Sequence, residues 1–170
     1  MIGVFDAEAN GLLDTVSVLH CLSLKDYERG RLVSFDSRSP LYTDDIIWHL
    51  EQCDALIGHN IIKYDLPLLK KLLGFEYKGE VYDTFLMSMM ENPDRKRHPN
   101  CPSHHPARAG EKRRAIGPHS LENWGYVVGR GKVEYHAWDT FDEGMLHRCD
   151  EDVEITDLVF KYLNDRMEVL

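Results

Sequence analysis

Three short acidic segments constrain this chain more than anything else in it: DAEANGLL at Asp6 to Leu13, GHNIIKYDLPLL at Gly58 to Leu69, and HRCDEDVEIT at His147 to Thr156. Each sets a carboxylate (Asp6 with Glu8, Asp65, Asp152) beside an apolar run able to form a strand or a helix wall. Gathering four carboxylates from distant parts of one small domain is costly unless a cation neutralises them. Asp6 and Glu8 stand two residues apart on a strand-like stretch, so both side chains leave from one face. That spacing lets both reach one cation, or lets Asp6 bridge two ions roughly 4 Å apart. Singly each carboxylate is ordinary: a strand-end pair, a helix-dipole partner at Asp65, and a solvated face around Asp150, Glu151, Asp152 and Glu154. As a set they suit a pair of Mg²⁺ or Mn²⁺ ions and phosphodiester hydrolysis.

Between these segments the pattern alternates strands and helices. Ile2 to Phe5 leads into Asp6, Val16 to Leu24 reads as a second strand, and Arg31 to Phe35 completes a hairpin through Glu28-Arg29-Gly30. Thr43-Asp44-Asp45 offers cap chemistry for a helix carrying Ile46, Ile47, Leu50 and Cys53. Asp54 to Gly58 reads as a short buried strand, and Asp65 to Leu73 as a helix with one leucine-rich face. Val81 to Thr84 starts a further element that continues as a helix through Met90. Asn92 to Pro118, rich in Pro and Gly and without periodicity, predicts an ordered-to-mobile loop. Ser120 is the expected N-cap of a helix with Leu121 and Trp124, and a last helix runs from Asp139 or Thr140 to Leu163, with room for a break. The order gives an α/β class with a mixed sheet. Trp48, Trp124 and Trp138 are the expected core anchors.

At 170 residues the chain reads as one domain, 1–170. No apolar run approaches the roughly 18 residues of a membrane span, and Met1 leads directly into a strand-like segment, so a cytoplasmic protein without membrane contact is expected. Cys21, Cys53, Cys101 and Cys149 are scattered and read as free thiols. With 29 acidic against 20 basic residues the net charge is −9. That balance weighs against a general nucleic-acid-coating protein but not against a metal-dependent nuclease. Basic residues concentrate in the loop: Arg95, Lys96, Arg97, Arg108, Lys112, Arg113 and Arg114. This loop is expected to contact phosphates of a single strand rather than read sequence; the alternatives are a solubilising surface loop and a docking patch for a protein partner. His98, Cys101, His104 and His105 crowd into it without a second ligand pair, which argues against zinc.

DAEANGLL, then Asn60-x-x-x-Tyr64-Asp65, then the late Asp152 resemble the ordered motifs of the DEDD superfamily of 3′→5′ exonucleases. The resemblance is strongest to the proofreading domain of podophage family A DNA polymerases. Tyr82-Asp83-Thr84 before a helix and HSLENWGY at His119 to Tyr126 are similar to segments of the same domains, so the likeness spans Ile2 to about Leu163. It implies an RNase H-like exonuclease fold, a mixed central β-sheet flanked by helices. It further implies that Asp6, Glu8 and Asp152 hold a first Mg²⁺ or Mn²⁺, that Asp6 also touches a second, and that Asp65 holds the second through water. Leu12 and Asn60 match positions that steady the site and press on the terminal base, with Tyr64 of the same motif on the substrate side. Asp83 matches a position that is not a ligand and reads as a helix cap.

The family places a general base before the last Asp, a Tyr at minus four or a His at minus five. Here minus four is Arg148 and minus five is His147. Arginine cannot accept a proton at neutral pH, so His147 is the expected base, and Arg148 is a phosphate contact of the substrate or faces solvent. Tyr135, Tyr126 or a water acting without a side-chain base are the alternatives. The expected activity is two-metal 3′→5′ hydrolysis of single-stranded DNA to nucleoside 5′-monophosphates. The protein would act alone, as the proofreading half of a split phage polymerase beside a separately encoded polymerase in the host cytoplasm, or as one part of a larger polymerase. The alternatives are a 3′→5′ exoribonuclease, decided by contact with the 2′-hydroxyl, and a non-catalytic nucleic-acid- or polymerase-binding module.

Overall fold

The computed structural model describes residues 1–105, 114–132, 135 and 139–170. Five strands, β1 (Ile2–Ala9), β2 (Leu19–Asp26), β3 (Leu32–Asp36), β4 (Ala55–Gly58) and β5 (Glu80–Asp83), form one sheet in the order β3-β2-β1-β4-β5. β1, β2 and β3 pair antiparallel, while β4 and β5 run parallel to β1. The helices are α1 (Tyr42–Glu51), α2 (Asp65–Leu73), α3 (Thr84–Glu91), α4 (Leu121–Val128) and α5 (Glu143–Met167).

Strand alternation sends neighbouring residues to opposite layers. Phe5, Leu22, Leu24 and Leu56 bury against α1 and α2, through Ile46, Leu50, Leu68 and Leu69. Val4 and Ile57 face the other way and meet Trp124 of α4 and Val153, Val159 and Phe160 of α5. α5 is the central helix of that second layer. Its buried positions Cys149, Asp152, Val153, Thr156, Phe160 and Leu163 recur at three- and four-residue spacing.

Most elements match the sequence reading, and the departures have local causes. β2 starts at Leu19, because the Asn10 side chain accepts from Ser17 N and Val18 N and holds the preceding residues in a loop. Val81 to Thr84 splits into a four-residue strand and a helix, with Asp83 capping α3 by accepting from Phe85 N and Leu86 N. α1 has Leu41 at its N-cap position without a side-chain cap, so the expected cap at Thr43-Asp44-Asp45 is corrected; Asp44 and Asp45 lie in the first turn, where they complement the dipole. Ser120 caps α4 as expected. α5 begins at Glu143, capped by Asp142, and is unbroken. Trp124 is fully buried, but Trp48 is 58% exposed and is not a core anchor. Ile46 and Leu50 claim the inward stripe of α1, which turns Trp48 outward. Trp138 lies outside the described residues. All four cysteines are free and buried, and no helix among the described residues is long and apolar enough to cross a membrane.

Candidate active site

β4 pairs with β1 only along Ile2 to Val4, so the second half of β1 runs past the end of its parallel neighbour. Asp6 and Glu8 stand on that overhanging half, on the face that α5 covers. α5 brings Asp152 to them, 2% exposed. One ligand oxygen from each of Asp6, Glu8 and Asp152 lies within 4.8 Å of the others. Asp65, the first residue of α2, is buried beside them and raises the pKa of Asp6. Three of the four carboxylates expected as ligands therefore lie together, and Asp65 is near enough to act on Asp6 through its charge.

Burial raises Asp6 well above the ordinary carboxylate range, and Glu8, Asp152 and Asp65 add repulsion. Burial likewise lifts Asp65 to about 8, with Glu8 adding to it and hydrogen bonds from the backbone amides of Asp65 and Ala7 pulling it back. Glu8 is pushed up to about 7 by burial, against the pull of Arg148. Acids held this far from their usual range are the mark of a site built to receive positive charge.

Part of that charge comes from the chain itself. Arg148 sits one helical turn before Asp152; its Nε donates to Glu8 Oε1 at 3.0 Å and its Nη2 lies 3.6 Å from Asp152 Oδ2. Lys132, from the turn after α4, places Nζ 2.6 Å from the same Oδ2. Asp152 Oδ1 is buried without a hydrogen-bond partner. A buried carboxylate oxygen left in that state fits a cation ligand.

The remaining expected residues divide. Tyr64 donates from its hydroxyl to the Gly11 carbonyl at 2.5 Å and so ties α2 to the loop after β1, where Leu12 stands 75% exposed. Asn60 adopts a left-handed φ of 65°, and its amide donates to Asp83 Oδ1 at 2.8 Å. Asp83 thus braces both the loop after β4 and helix α3. His147 is exposed on the outer side of α5; the structure turns Arg148, not His147, toward the carboxylates. Tyr135 packs on Cys21, Met145 and Cys149 and hydrogen-bonds Asp142.

In the basic loop, Arg95 pairs with Glu91 and stacks 4.2 Å from the centre of the Trp124 ring. Arg97 donates to the Cys101 carbonyl. These two act as anchors, whereas Lys96 and Arg114 are exposed. Arg108, Lys112 and Arg113 lie outside the described residues. Sequence reasoning missed Lys132 altogether. The only signal was a basic Gly129-Arg130-Gly131-Lys132 turn, which carries no chemistry until α5 is placed beside it.

This strand order, with carboxylates on the overhanging half of β1 and on the last helix, is the mixed α/β arrangement of the RNase H-like fold that the sequence resemblance implies. No family model matches the chain. It is 28% identical over 190 residues to the DNA-directed DNA polymerase of Escherichia phage T7 and to that of Enterobacteria phage T3, in each case across 96% of this chain and 27% of the polymerase. The chain thus spans about a quarter of these curated relatives. Among solved structures, Brucella melitensis NrnC bound to pGG superposes with a TM-score of 0.66 at 14% identity, covering 98% of this chain and 73% of that one.

Proposed function

We propose that this chain is a metal-dependent 3′→5′ exonuclease that removes nucleoside 5′-monophosphates from single-stranded DNA. The observation that carries the reading is the convergence of Asp6, Glu8 and Asp152 within 4.8 Å, with a buried, unpartnered oxygen on Asp152. Asp6, Glu8, Asp65 and Asp152 are the residues that would hold two ions. Mg²⁺ or Mn²⁺ bound there supplies Lewis-acid activation of water and neutralises charge on the leaving 3′ oxygen.

The chain's own groups do the rest. Leu12, exposed on the loop that Tyr64 tethers, is placed to press on the terminal base, and Asn60 is held to Asp83 in the loop after β4. Arg148 offers a planar donor fork to a phosphate and cannot take a proton. His147 is the proton acceptor in this reading, on chemical grounds: of the two side chains at the expected positions only an imidazole has a nitrogen lone pair that can take a proton. Its outward placement requires substrate or the first turn of α5 to bring it round. The match to part of two phage polymerases supports DNA as substrate and proofreading beside a polymerase as the setting.

The test is a time course on 5′-labelled single-stranded DNA and matching RNA, with Mg²⁺, Mn²⁺ or chelator. A metal-dependent ladder shortening from the 3′ end on DNA, lost in Asp6→Ala, is expected. Shortening of RNA alone would make the enzyme an exoribonuclease. Survival of activity in Asp6→Ala would remove the site assignment, and a loss below threefold in His147→Ala would remove that residue as base.

A further inference from the structure

We propose that Lys132 is a positioning residue for the last carboxylate: it holds Asp152 by Oδ2 and so keeps Oδ1 turned toward the ion site. The proposal rests on the metal-dependent reading above. Asp152 uses its two oxygens differently: Oδ2 faces Lys132 at 2.6 Å and Arg148 at 3.6 Å, while buried Oδ1 has no hydrogen-bond partner. A carboxylate on a helix has rotational freedom about its χ angles, and a strong charge-assisted contact on one oxygen removes it. Partners that fix a ligand in this way act on metal affinity nearly as the ligands themselves do.

The turn that delivers Lys132 is itself clamped, which separates it from a surface lysine that happens to reach an acid. α4 ends at Val128, and Gly129 caps it in the left-handed region. Arg130 N then donates to the Gly125 carbonyl at 2.8 Å, and the Arg130 guanidinium grips Glu151 of α5 with two contacts of 2.8 Å. A Cβ on Gly125 would stand 2.6 Å from the Arg130 carbonyl oxygen and 3.5 Å from Lys132 N. The turn therefore lies pressed on α4 on one side and bolted to α5 on the other, and Lys132 leaves it at a fixed height opposite Asp152. Its side chain is 16% exposed.

Charge and geometry make opposite predictions for this residue. A lysine acting only through its charge repels a divalent ion, so its removal would tighten binding. A lysine that positions Asp152 weakens binding when removed. The experiment is a Mn²⁺ titration followed by the electron paramagnetic resonance of free Mn²⁺, without substrate, on wild type, Lys132→Met, Lys132→Arg and Gly125→Ala. We expect Mn²⁺ affinity to fall about 10- to 100-fold in Lys132→Met, and to stay within about threefold of wild type in Lys132→Arg, which restores the charged donor. Gly125→Ala keeps Lys132 but pushes the turn away, and should show an intermediate loss; it also serves if Lys132→Met does not fold. Unchanged or tighter Mn²⁺ binding in folded Lys132→Met overturns the proposal. So does a lower melting temperature in chelator with Mn²⁺ affinity intact, the signature of a bridge that only braces α5. Absence of Mn²⁺ binding in wild type would overturn the metal-dependent reading as well, and the two failures are thereby distinguishable.

Discussion

The two faces of the central sheet are made by the same strands and do opposite things. On the face toward α1 and α2, β1 and β2 present Phe5, Ala7, Leu22 and Leu24, all buried in hydrocarbon. On the face toward α5, beside the apolar Val4, the intervening residues are Asp6, Glu8, Ser23 and Lys25, also largely buried but polar. α5 answers them in kind. Ser23 and Ser34 both donate to Asp150 at 2.6 Å, and Lys25 reaches Glu154 at 2.9 Å and Asp157 at 2.7 Å. The dry face supplies burial energy of about 1.5–3 kcal/mol per large side chain. The polar contacts return little net energy, because desolvating charges offsets most of their attraction, and α5 draws its own burial energy from the apolar cluster of Val4, Ile57, Trp124, Val153, Val159 and Phe160. What the polar contacts provide is a fixed register between α5 and the sheet, and hence a fixed distance between Asp152 and the pair on β1.

The largest expected contrast separates adjacent residues of one strand. Asp6→Asn should lower the single-turnover rate on single-stranded DNA at least about 1,000-fold, roughly 4 kcal/mol of barrier, while leaving urea stability in chelator unchanged or higher because repulsion is relieved. Phe5→Ala should do the reverse: a loss of about 3–5 kcal/mol in urea denaturation, with the rate per folded molecule within a few-fold of wild type. If Asp6→Asn unfolds the protein as Phe5→Ala does, the two faces are not functionally distinct.

A smaller effect tests the polar face away from the carboxylate cluster. Lys25→Met leaves Glu154 and the 1% exposed Asp157 without their shared partner, although Lys161 still reaches Asp157 at 2.9 Å. A loss of about 2–3 kcal/mol is expected in urea denaturation. Lys25→Met combined with Asp157→Asn should recover part of it, as expected when the cost is an uncompensated charge. Full additivity of the two substitutions would show that the lysine stem, not its charge, holds α5.

The sequence was most informative where one local rule acts alone. The leucine spacing of α2, the capping chemistry of Asp83 and Ser120, and the D-x-E spacing on β1 were all legible, because each is settled within a few residues. The convergence of Asp152 on that pair needed the family likeness, since spacing within α5 does not say which strand it crosses. Trp48 was misplaced because a tryptophan invites a core assignment, and only the competing stripe of Ile46 and Leu50 turns it outward. The pair His147 and Arg148 shows the limit more clearly. Chemistry selects the imidazole as base, but helix geometry gives the inward position to the residue one turn from Asp152, and that residue is Arg148. Lys132 was invisible for the same reason: its partner lies 20 positions away on another element, and no periodicity links them.

The smallest effect expected is also the one that sets the carboxylate cluster against the rest of the surface. Asp36, Asp142 and Glu151 have lowered pKa values, from hydrogen bonds to Arg38, the Met145 amide and Arg130 respectively. Such groups stabilise the fold above their unfolded pKa, and that contribution fades as pH falls. Asp6, Glu8 and Asp65 are shifted the other way, chiefly by burial. The folded state then holds protons that the unfolded chain releases, so their contribution is complete below about pH 4 and is lost as pH rises toward the folded values, about 7 for Glu8 and about 8 for Asp65. In chelator, stability should therefore decline between pH 5 and pH 8, by an amount on the order of 1–2 kcal/mol once Arg148 and Lys132 are allowed for. Saturating Mn²⁺ should flatten the decline, because an ion binds the deprotonated carboxylates and replaces the protons. Asp6→Asn should flatten it without metal. A stability in chelator that rises over the same window would mean that the built-in cations already neutralise the cluster, leaving the surface carboxylates to set the pH dependence alone.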